Sequence, residues 1–388
     1  MVSRGAMPLE ETAAAVRRVT IRQQPWTEWE QVEPVWRALA EARQDSSIFL
    51  SADWAGAWLQ TFGAELDPVL SVFTCAGEDV GVCVLSRSRR RILLVPVTRC
   101  SLNCTGEACD ETPYLEFNTL LCRAGWEETV AEALGDQLAT EQWDEFAVDG
   151  CSPGLAYEAL RRSLQRLDVE TEEDWRRSYH IDLAALRRTG TRYEAVLSGN
   201  MRGQLRRKAK AFSRNGDLTI RAAGSEEEAL EDWEHLAALA KARWTGRGRA
   251  TPFHSHRFLL FHRTLLRSCF GQGEAQVLRV MAGPVLLGFL YCLVHRRKVY
   301  LYQSGMQYAG DSSQSPGMVA IGQAVTHYLE AGMDDFDFLA GEERYKRCLA
   351  TGARPLVWAV FRRRSVTQRL FGLCREVRSR MWERGGTC

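Results

Sequence analysis

The sequence has no apolar run long enough to cross a membrane. The longest run, at residues 285–294, is far shorter than the roughly 20 residues that a membrane-spanning helix requires. The N-terminal residues also lack the apolar core of a signal peptide. We therefore expect a cytoplasmic protein without a membrane span.

The sequence also lacks an excess of either charge. The 50 Lys and Arg residues and the 49 Asp and Glu residues leave a formal net charge of +1, so no overall field attracts nucleic acid. We expect no DNA partner, and any cationic binding surface must be local. With 45% hydrophobic and 26% charged residues over 388 positions, the composition is typical of a globular protein with room for two domains.

Paired C-x-x-C motifs are absent, although the chain contains 12 cysteines. The one cluster, formed by Cys100, Cys104 and Cys109, has no neighbouring histidine and lacks the spacing of a zinc site. Scattered cysteines in a chain without an export signal are typical of free thiols. We expect neither disulfides nor a metal site.

The sequence does contain an internal repeat. The tetrapeptide V-T-I-R near the start returns as L-T-I-R in the second half. Trp29 and Phe49 are 20 residues apart, and so are Trp233 and Phe253, so the two series keep an offset of 204 residues. A constant offset of this kind indicates two copies of one structural unit.

Both copies predict the same order of secondary structure. After a first strand and helices, apolar runs broken by Ala-Gly predict a hairpin. Arginine pairs at residues 89–90 and 296–297 mark the next turn, and a third strand follows. A helix near residues 127–138 or 318–329 then leads into a short strand. This order predicts an α/β protein with mixed sheets, built as a tandem duplication.

The repeat also predicts the domain boundaries. We expect a first domain at residues 16–150, a connecting segment at 151–216 that belongs to neither copy and contains a basic helix, a second domain at 217–361, and a C-terminal helix at 362–388. The motifs described next occur only in the second domain. We therefore expect the first domain to be a degenerate copy.

Five motifs of the second half carry a resemblance to a known family. They are A-R-W at residues 242–244, F-L-L-F-H-R at 258–263, L-Y-Q-S-G at 301–305, S-P-G-M at 315–318 and F-D-F-L-A-G-E-E-R-Y-K at 336–346. Through them this half resembles the CelD-like or BioF-like acetyltransferase-domain family of the GNAT superfamily, which is related to the Fem aminoacyl transferases. The resemblance implies two GNAT-like domains and an enzyme that joins an acyl or aminoacyl group to an amine.

The motif S-P-G-M predicts a helix that begins after a strand, because serine suits an N-cap and proline the first turn. The free N–H groups of such a helix end suit a donor's phosphates, and a glycine permits a close approach. One face of the basic helix could hold phosphates as well, or could be a solvated surface. The predicted donor-binding residues are Gln303, Gln314, Ser315, Gly317, Met318, Arg202, Arg206 and Lys210.

The last motif contains the candidate catalytic residues. An amine must lose a proton before it attacks a thioester or an ester, and a partly buried carboxylate can accept that proton. Asp337, on the strand face opposite to its two phenylalanine neighbours, and Glu342, in the next loop, are the candidate bases, and the sequence does not choose between them. The resemblance also favours roles for Lys346 at a phosphate or an oxyanion, and for Tyr345 as a proton donor.

Three further side chains have two interpretations each. His262 lies between apolar positions of a helix, where a histidine is more often a core residue than a catalytic base. Trp244 and Tyr302 line either the substrate pocket or the core.

Together these features predict a cytoplasmic N-acyltransferase without a permanently bound cofactor. Its cosubstrate would be acyl-CoA or an acyl-carrier protein, and its acceptor a small-molecule or peptide amine that attacks the donor directly in the cleft between the copies. Two alternatives remain open. One is a Fem-like transferase that uses aminoacyl-tRNA, and the other is a non-catalytic binding protein on a GNAT scaffold.

Overall fold

The computed structural model of the chain describes residues 18–92, 95–308 and 315–364. Their strands form one large mixed sheet with helices packed on it, so the predicted α/β class is confirmed. The elements are β1 (Thr20–Pro25), α1 (Trp29–Ala42), α2 (Ala52–Leu66), β2 (Val69–Cys75), β3 (Glu78–Ile92), β4 (Val95–Leu102), β5 (Leu121–Cys122), α3 (Glu127–Thr140), β6 (Glu145–Cys151), α4 (Leu155–Gln165), β7 (Val169–Asp182), α5 (Leu183–Thr189), α6 (Tyr193–Val196), α7 (Gly199–Phe212), β8 (Leu218–Ala222), α8 (Glu226–Thr245), α9 (His256–Cys269), β9 (Ala275–Ala282), β10 (Val285–His295), β11 (Lys298–Met306), α10 (Pro316–Glu330), β12 (Asp335–Ala340), α11 (Arg344–Leu349) and β13 (Gly352–Arg363).

The two halves of the chain repeat one order of elements. In the first half β1, α1, α2, the meander β2–β3–β4, α3 and β6 follow one another, and in the second half β8, α8, α9, the meander β9–β10–β11, α10 and β12 do the same. The strands β4 and β6 pair in parallel over a short stretch, as β11 and β12 do. The predicted tandem duplication is therefore present in the structure.

Two strands that the sequence analysis did not predict join the halves. β7 follows β6 and α4, and β13 follows β12 and α11, so the two strands are counterparts. They pair antiparallel with each other, from Gly352 opposite His180 to Arg363 opposite Val169. β13 also pairs with β6, and β7 with β12. Each half therefore completes the sheet of the other, and the segment predicted to belong to neither copy contains the counterpart of β13.

The two predicted arginine turns have different outcomes. Residues 296–297 form the turn between β10 and β11, and both have positive φ angles, of 47° and 68°. Residues 89–90 instead lie inside β3, because this strand continues to Ile92. The guanidinium of Arg296 donates hydrogen bonds to backbone carbonyls at the C-terminal end of α1, so a turn of the second half caps a helix of the first.

Other expectations concern the chain as a whole. In the part of the chain that the structure describes, no helix has the length and apolar character needed to cross a bilayer. Cys100 and Cys104 of the cysteine cluster are buried free thiols, and Cys109 is an exposed one. The predicted helix at 362–388 begins instead as the end of β13, and residues 365–388 lie outside the described residues.

One of the three hydrophobic clusters among the described residues joins the helices of both halves. The ring of Trp54 in α2 packs edge-on against Phe261 of α9, with ring centroids 4.8 Å apart. Phe49, which precedes α2, packs against Tyr300 of β11 at 5.4 Å. Because rings from both halves fill the same core, we expect the halves to unfold together.

The substitution Phe261→Ala tests this expectation. Phe261 is fully buried, and removal of its ring should lower the free energy of unfolding by about 3 to 5 kcal/mol. Thermal and denaturant unfolding should show one transition, shifted as a whole. The matched control is Leu155→Ala, at a side chain that is 76% exposed, with an expected change within about 0.5 kcal/mol. Two transitions, of which only one moves, would contradict a shared core.

Candidate functional site

The parallel strands β11 and β12 separate near the middle of the sheet. They pair from Lys298 opposite Asp335 to Tyr300 opposite Asp337, and β11 then continues to Met306 with β10 as its neighbour. Strands that part in this way leave a crevice at their carboxyl ends, where open α/β sheets bind ligands. We call the space beyond Tyr300 and Asp337 the crevice.

Asp337 is fully buried at the point where the two strands part. Its Oδ1 accepts hydrogen bonds from the hydroxyl of Ser178 in β7 and from the backbone N–H of Leu339. Its Oδ2 has no hydrogen-bond partner among the described residues and lies 3.8 Å from Nη1 of Arg354. Burial raises the pKa of Asp337 to about 6, although Arg354 and Ser178 act in the opposite direction.

Lys346 is buried beside the end of β12. Its Nζ donates hydrogen bonds to the backbone carbonyls of Leu339, at 3.3 Å, and Ala340, at 2.7 Å. Glu343 Oε2 lies 3.3 Å from the same nitrogen. Gly341, with a φ of 138°, leaves room for it, because a Cβ at this position would lie 2.8 Å from Nζ. The ammonium group is therefore held in one place rather than free at the surface.

A carboxyl group that the sequence analysis missed also reaches the end of β12. Glu116, in the segment between β4 and β5, is only 6% exposed, and its Oε2 accepts a hydrogen bond of 2.8 Å from the backbone N–H of Ala340. Burial raises the pKa of Glu116 to about 8, and the nearby charge of Asp337 adds to this effect. Its neighbours in sequence, Y-L-E-F-N, contain no motif. Only the packing of the first half on the second brings this side chain to the crevice.

In the first half, the place where β4 and β6 separate is filled by the segment around Asn118. β4 and β6 pair as far as Ser101 opposite Ala147, and Asn118 then forms a parallel bridge with Cys151 at the end of β6. Asn103 donates a hydrogen bond of 2.6 Å to the side chain of Asn118 and holds this segment in place. Ala147 stands where the second half has Asp337, so the first half lacks both the space and the carboxyl group.

The remaining predicted residues of the last motif are exposed. Glu342 follows the end of β12 and accepts a hydrogen bond of 3.1 Å from the hydroxyl of Tyr179. Tyr345 is 41% exposed, and its ring packs edge-on against Phe338 at 6.3 Å. The structure thus brings Asp337 together with the buried ammonium and with a carboxyl from the other half, whereas Glu342 and Tyr345 lie nearer the solvent.

His262 lies in the core and not at the crevice. Its ring packs between those of Phe258, at 4.6 Å, and Trp233, at 5.0 Å. Neither ring nitrogen has a hydrogen-bond partner among the described residues, and burial lowers the pKa of His262 well below its usual value. Tyr302 lies 4.8 Å from the same ring and donates a hydrogen bond to the carbonyl of Pro113, so it too belongs to the core.

Two predicted residues lie at partly exposed positions. Trp244, in the last turn of α8, is half-buried, with the guanidinium groups of Arg247 and Arg249 about 6 Å from its ring centroid. Gln303 is partly exposed on β11, beyond the point where that strand parts from β12. Neither has a contact that assigns it to a substrate.

The helix α10 begins near the carboxyl end of β11. The predicted residue Gln314 lies outside the described residues. Ser315 occupies the N-cap position with a φ of 45°, but its side chain does not cap the helix. Its Oγ instead accepts a hydrogen bond of 2.8 Å from Nζ of Lys208. Gly317 and Met318 form the first turn, so the positive end of a helix and an ammonium group meet here.

The ammonium group comes from α7, which is the predicted basic helix. Leu205 packs on α10, where a Cβ at Gly322 would lie 3.1 Å from its side chain. Arg202 donates hydrogen bonds to backbone carbonyls at the C-terminal end of α6, and Arg206 and Lys210 are exposed. The three residues of the predicted cationic face therefore do not contact Ser315. Lys208, which was not among the predicted site residues, does so.

One family model and several solved structures are similar to this chain. Residues 199–347 match the family model described as acetyltransferase (GNAT) domain. The crystal structure of FemX has a similar fold, with a TM-score of 0.56 at 11% identity over 88% of this chain and 98% of FemX. The crystal structure of a protein of unknown function from Bacteroides thetaiotaomicron has a TM-score of 0.49, at 10% identity over 89% of this chain and 100% of that one. A tandem GNAT protein from the clavulanic acid biosynthesis pathway has a TM-score of 0.46, at 11% identity over 88% of this chain and 98% of that one.

The residues that match the GNAT model include α7, α10 and the crevice. No curated protein sequence matches the chain. Through the matched domain the protein is similar to GNAT-type acetyltransferases. The chain carries a GNAT-type acetyltransferase domain in its second half and a copy of the same fold in its first half, as the sequence predicted.

The substitution His262→Phe tests whether this histidine is only a core residue. An unpaired buried polar group costs about 1 to 3 kcal/mol, so a phenylalanine in the same ring cluster should leave the stability unchanged or raise it. Acyl transfer should be retained as well. Thermal unfolding and an activity assay check both expectations. A stable variant without activity would restore His262 as a catalytic candidate.

Proposed function

We propose that this protein transfers an acyl group from acyl-CoA to a primary amine at the crevice between β11 and β12. The observation that carries the proposal is the buried carboxyl group of Asp337 at the point where the strands part. The beginning of α10, which comes after β11 and has the ammonium group of Lys208 beside it, supports the proposal.

The donor's phosphates would bind at the beginning of α10. The first N–H groups of a helix have no partners within the helix, and their positive partial charge attracts an anion. In α10, Pro316 has no N–H and the N–H of Met318 donates to the carbonyl of Ser315, so the attraction comes mainly from the helix dipole. Lys208 adds a full positive charge beside Ser315. This arrangement fits a coenzyme A thioester whose acyl end extends towards the crevice.

The acceptor enters as an ammonium ion, with a reference pKa of about 10.4 for a lysine-like amine, and must first lose a proton. Asp337, with a pKa of about 6, is ionised at neutral pH and can accept that proton directly or through one water molecule. The free amine then attacks the thioester carbonyl, and the fixed ammonium of Lys346 provides positive charge near the developing oxyanion. Of the two bases that the sequence left open, burial favours Asp337 over Glu342.

A second candidate donor is aminoacyl-tRNA, as the resemblance to the Fem transferases implies. The observation that favours it is the outer face of α7, where Arg206, Arg207 and Lys210 are all exposed next to the donor end of α10. Exposed cations of this kind suit a phosphate backbone. Similarity to FemX at 11% identity concerns the fold, so the donor needs an experiment.

The substitution Asp337→Asn tests the proposed base. It should lower kcat by about 100-fold or more, because the amide cannot accept the proton. In the unchanged enzyme kcat should fall as the pH decreases through about 6, since protonated Asp337 is inactive, and the variant should lose this dependence. Acyl transfer from radiolabelled acetyl-CoA to a panel of amines measures both. Asp334→Asn, at a partly exposed carboxyl just before β12 that pairs with Arg187 and Arg297, is the control and should keep its activity. Full activity of Asp337→Asn would exclude Asp337 as the base.

A pair of α7 variants distinguishes the two donors. Lys208→Gln should weaken coenzyme A binding about 10-fold, because a charged hydrogen-bonding group beside the phosphate site is lost. Lys210→Gln, two residues further along α7 at an exposed position, should leave it unchanged. Isothermal titration with acetyl-CoA and binding of aminoacyl-tRNA at several salt concentrations provide the measurement. A defect in RNA binding for Lys210→Gln, without any affinity for acetyl-CoA in the unchanged protein, would favour the tRNA donor instead.

A further inference from the structure

The segment that carries Glu116 crosses the middle of the sheet from the first half to the second. Its backbone at Glu116 lies against β6, where Gly150 has a φ of 59° and a Cβ would lie 2.9 Å from the Cα of Glu116. The side chain reaches Ala340 at the end of β12, a residue 224 positions away in the chain. Asn118 anchors the segment through a hydrogen bond of 3.2 Å to the carbonyl of Asp149. The carboxyl group is therefore held at the crevice by a fixed segment.

The two carboxyl groups at the crevice have different surroundings. Asp337 accepts two hydrogen bonds through Oδ1 and has the guanidinium of Arg354 nearby. Glu116 accepts one hydrogen bond, through Oε2 from the N–H of Ala340. Among the described residues its Oε1 has no hydrogen-bond partner, and the carboxyl group makes no ion pair. A buried carboxyl group that makes no ion pair favours the protonated form.

The charged groups that act on Glu116 belong to three elements. Asp337 of β12 raises the pKa of Glu116, whereas Lys346 of α11 and Arg176 of β7 lower it, and burial outweighs both of these. The result is a pKa of about 8 for Glu116 beside one of about 6 for Asp337. Two neighbouring carboxyl groups whose pKa values are separated in this way are suited to act as an acid and a base.

We propose that Glu116 is the general acid of the acyl-transfer site, supplied by the first half of the chain to a site built on the second. This inference rests on the proposed function, with Asp337 as the base. When the C–S bond of the tetrahedral intermediate breaks, its electron pair goes to sulfur, and sulfur takes the proton from Oε1 of Glu116. The new amide nitrogen carries one surplus proton, which returns to the Glu116 carboxylate. The proton that Asp337 took from the ammonium ion goes to solvent.

The substitution Glu116→Gln removes the proton and keeps an oxygen for the N–H of Ala340. With acetyl-CoA we expect kcat to fall about 100-fold with little change in KM. The decline of kcat as the pH rises through about 8, present in the unchanged enzyme, should disappear. Glu111→Gln, in the same segment, is the matched control, and thermal unfolding checks that both variants fold.

A second acyl donor separates an acid from a structural role. The leaving group of 4-nitrophenyl acetate needs no proton, so Glu116→Gln should approach the unchanged enzyme with this donor, whereas Asp337→Asn should remain slow. An equal loss with both donors would overturn the acid role of Glu116. If the unchanged enzyme transferred no acetyl group from either donor to any amine, the proposed function itself would fail.

Infrared spectroscopy tests the protonation state without any substrate. The difference between the unchanged protein and Glu116→Gln at pH 7 should contain the carbonyl band of a protonated carboxylic acid, and this band should disappear as the pH is raised above 8. Glu107→Gln is the comparison, because Glu107 is another buried carboxyl group of the first half, with a pKa raised by burial to about 7, so its band should disappear at a lower pH than that of Glu116. Absence of the Glu116 band at pH 7 would overturn the inference even if the enzyme is active.

Discussion

The antiparallel pairing of β7 with β13 is the interaction on which the rest of the structure depends. Without it, the strands that end each half would be left with unpaired edges, which expose backbone N–H and C=O groups and favour aggregation. Arginines of β13 stabilise this pairing through hydrogen bonds to the neighbouring strands. Arg362 bonds to Glu145 of β6 at 2.9 Å and to Glu172 of β7 at 2.6 Å, and Arg354 bonds to Asp335 of β12 at 2.6 Å. The pairing also orients the halves so that the carboxyl ends of β6 and β12 both point towards the middle of the sheet.

This arrangement makes two similar halves chemically different. In the first half the chain around Asn118 occupies the place where β4 and β6 part, and it carries Glu116 onwards to the end of β12. In the second half the corresponding place remains a crevice, with Asp337 at its inner end. A single connection between β4 and β5 therefore fills one copy of the site and supplies a carboxyl group to the other. The first half, which lacks the proposed acyl-transfer residues, therefore still contributes a side chain to the crevice.

The end of β12 combines several features that are energetically unfavourable on their own. Leu339 has a φ of 62°, which is rare for a residue with a branched side chain, and two carboxyl groups and one ammonium group are buried around it. The N–H groups of Leu339 and Ala340 bind Asp337 and Glu116, and their carbonyls bind Lys346. An unusual backbone conformation is thus matched to buried charged groups, and in folded proteins such a combination is concentrated at functional sites.

The sequence by itself determined the duplication, the meander in each half, the helix that begins at S-P-G-M and the presence of Asp337 and Lys346 in one motif, because these features depend on local periodicity and spacing. Only the tertiary structure decided that β7 is a strand, since its exposed residues from Glu172 to Arg177 are mostly charged and their partners lie on other strands. It also brought Lys208 to Ser315, placed His262 in the core and brought Glu116 to Ala340. These outcomes depend on contacts between residues far apart in the chain, and no local pattern records them.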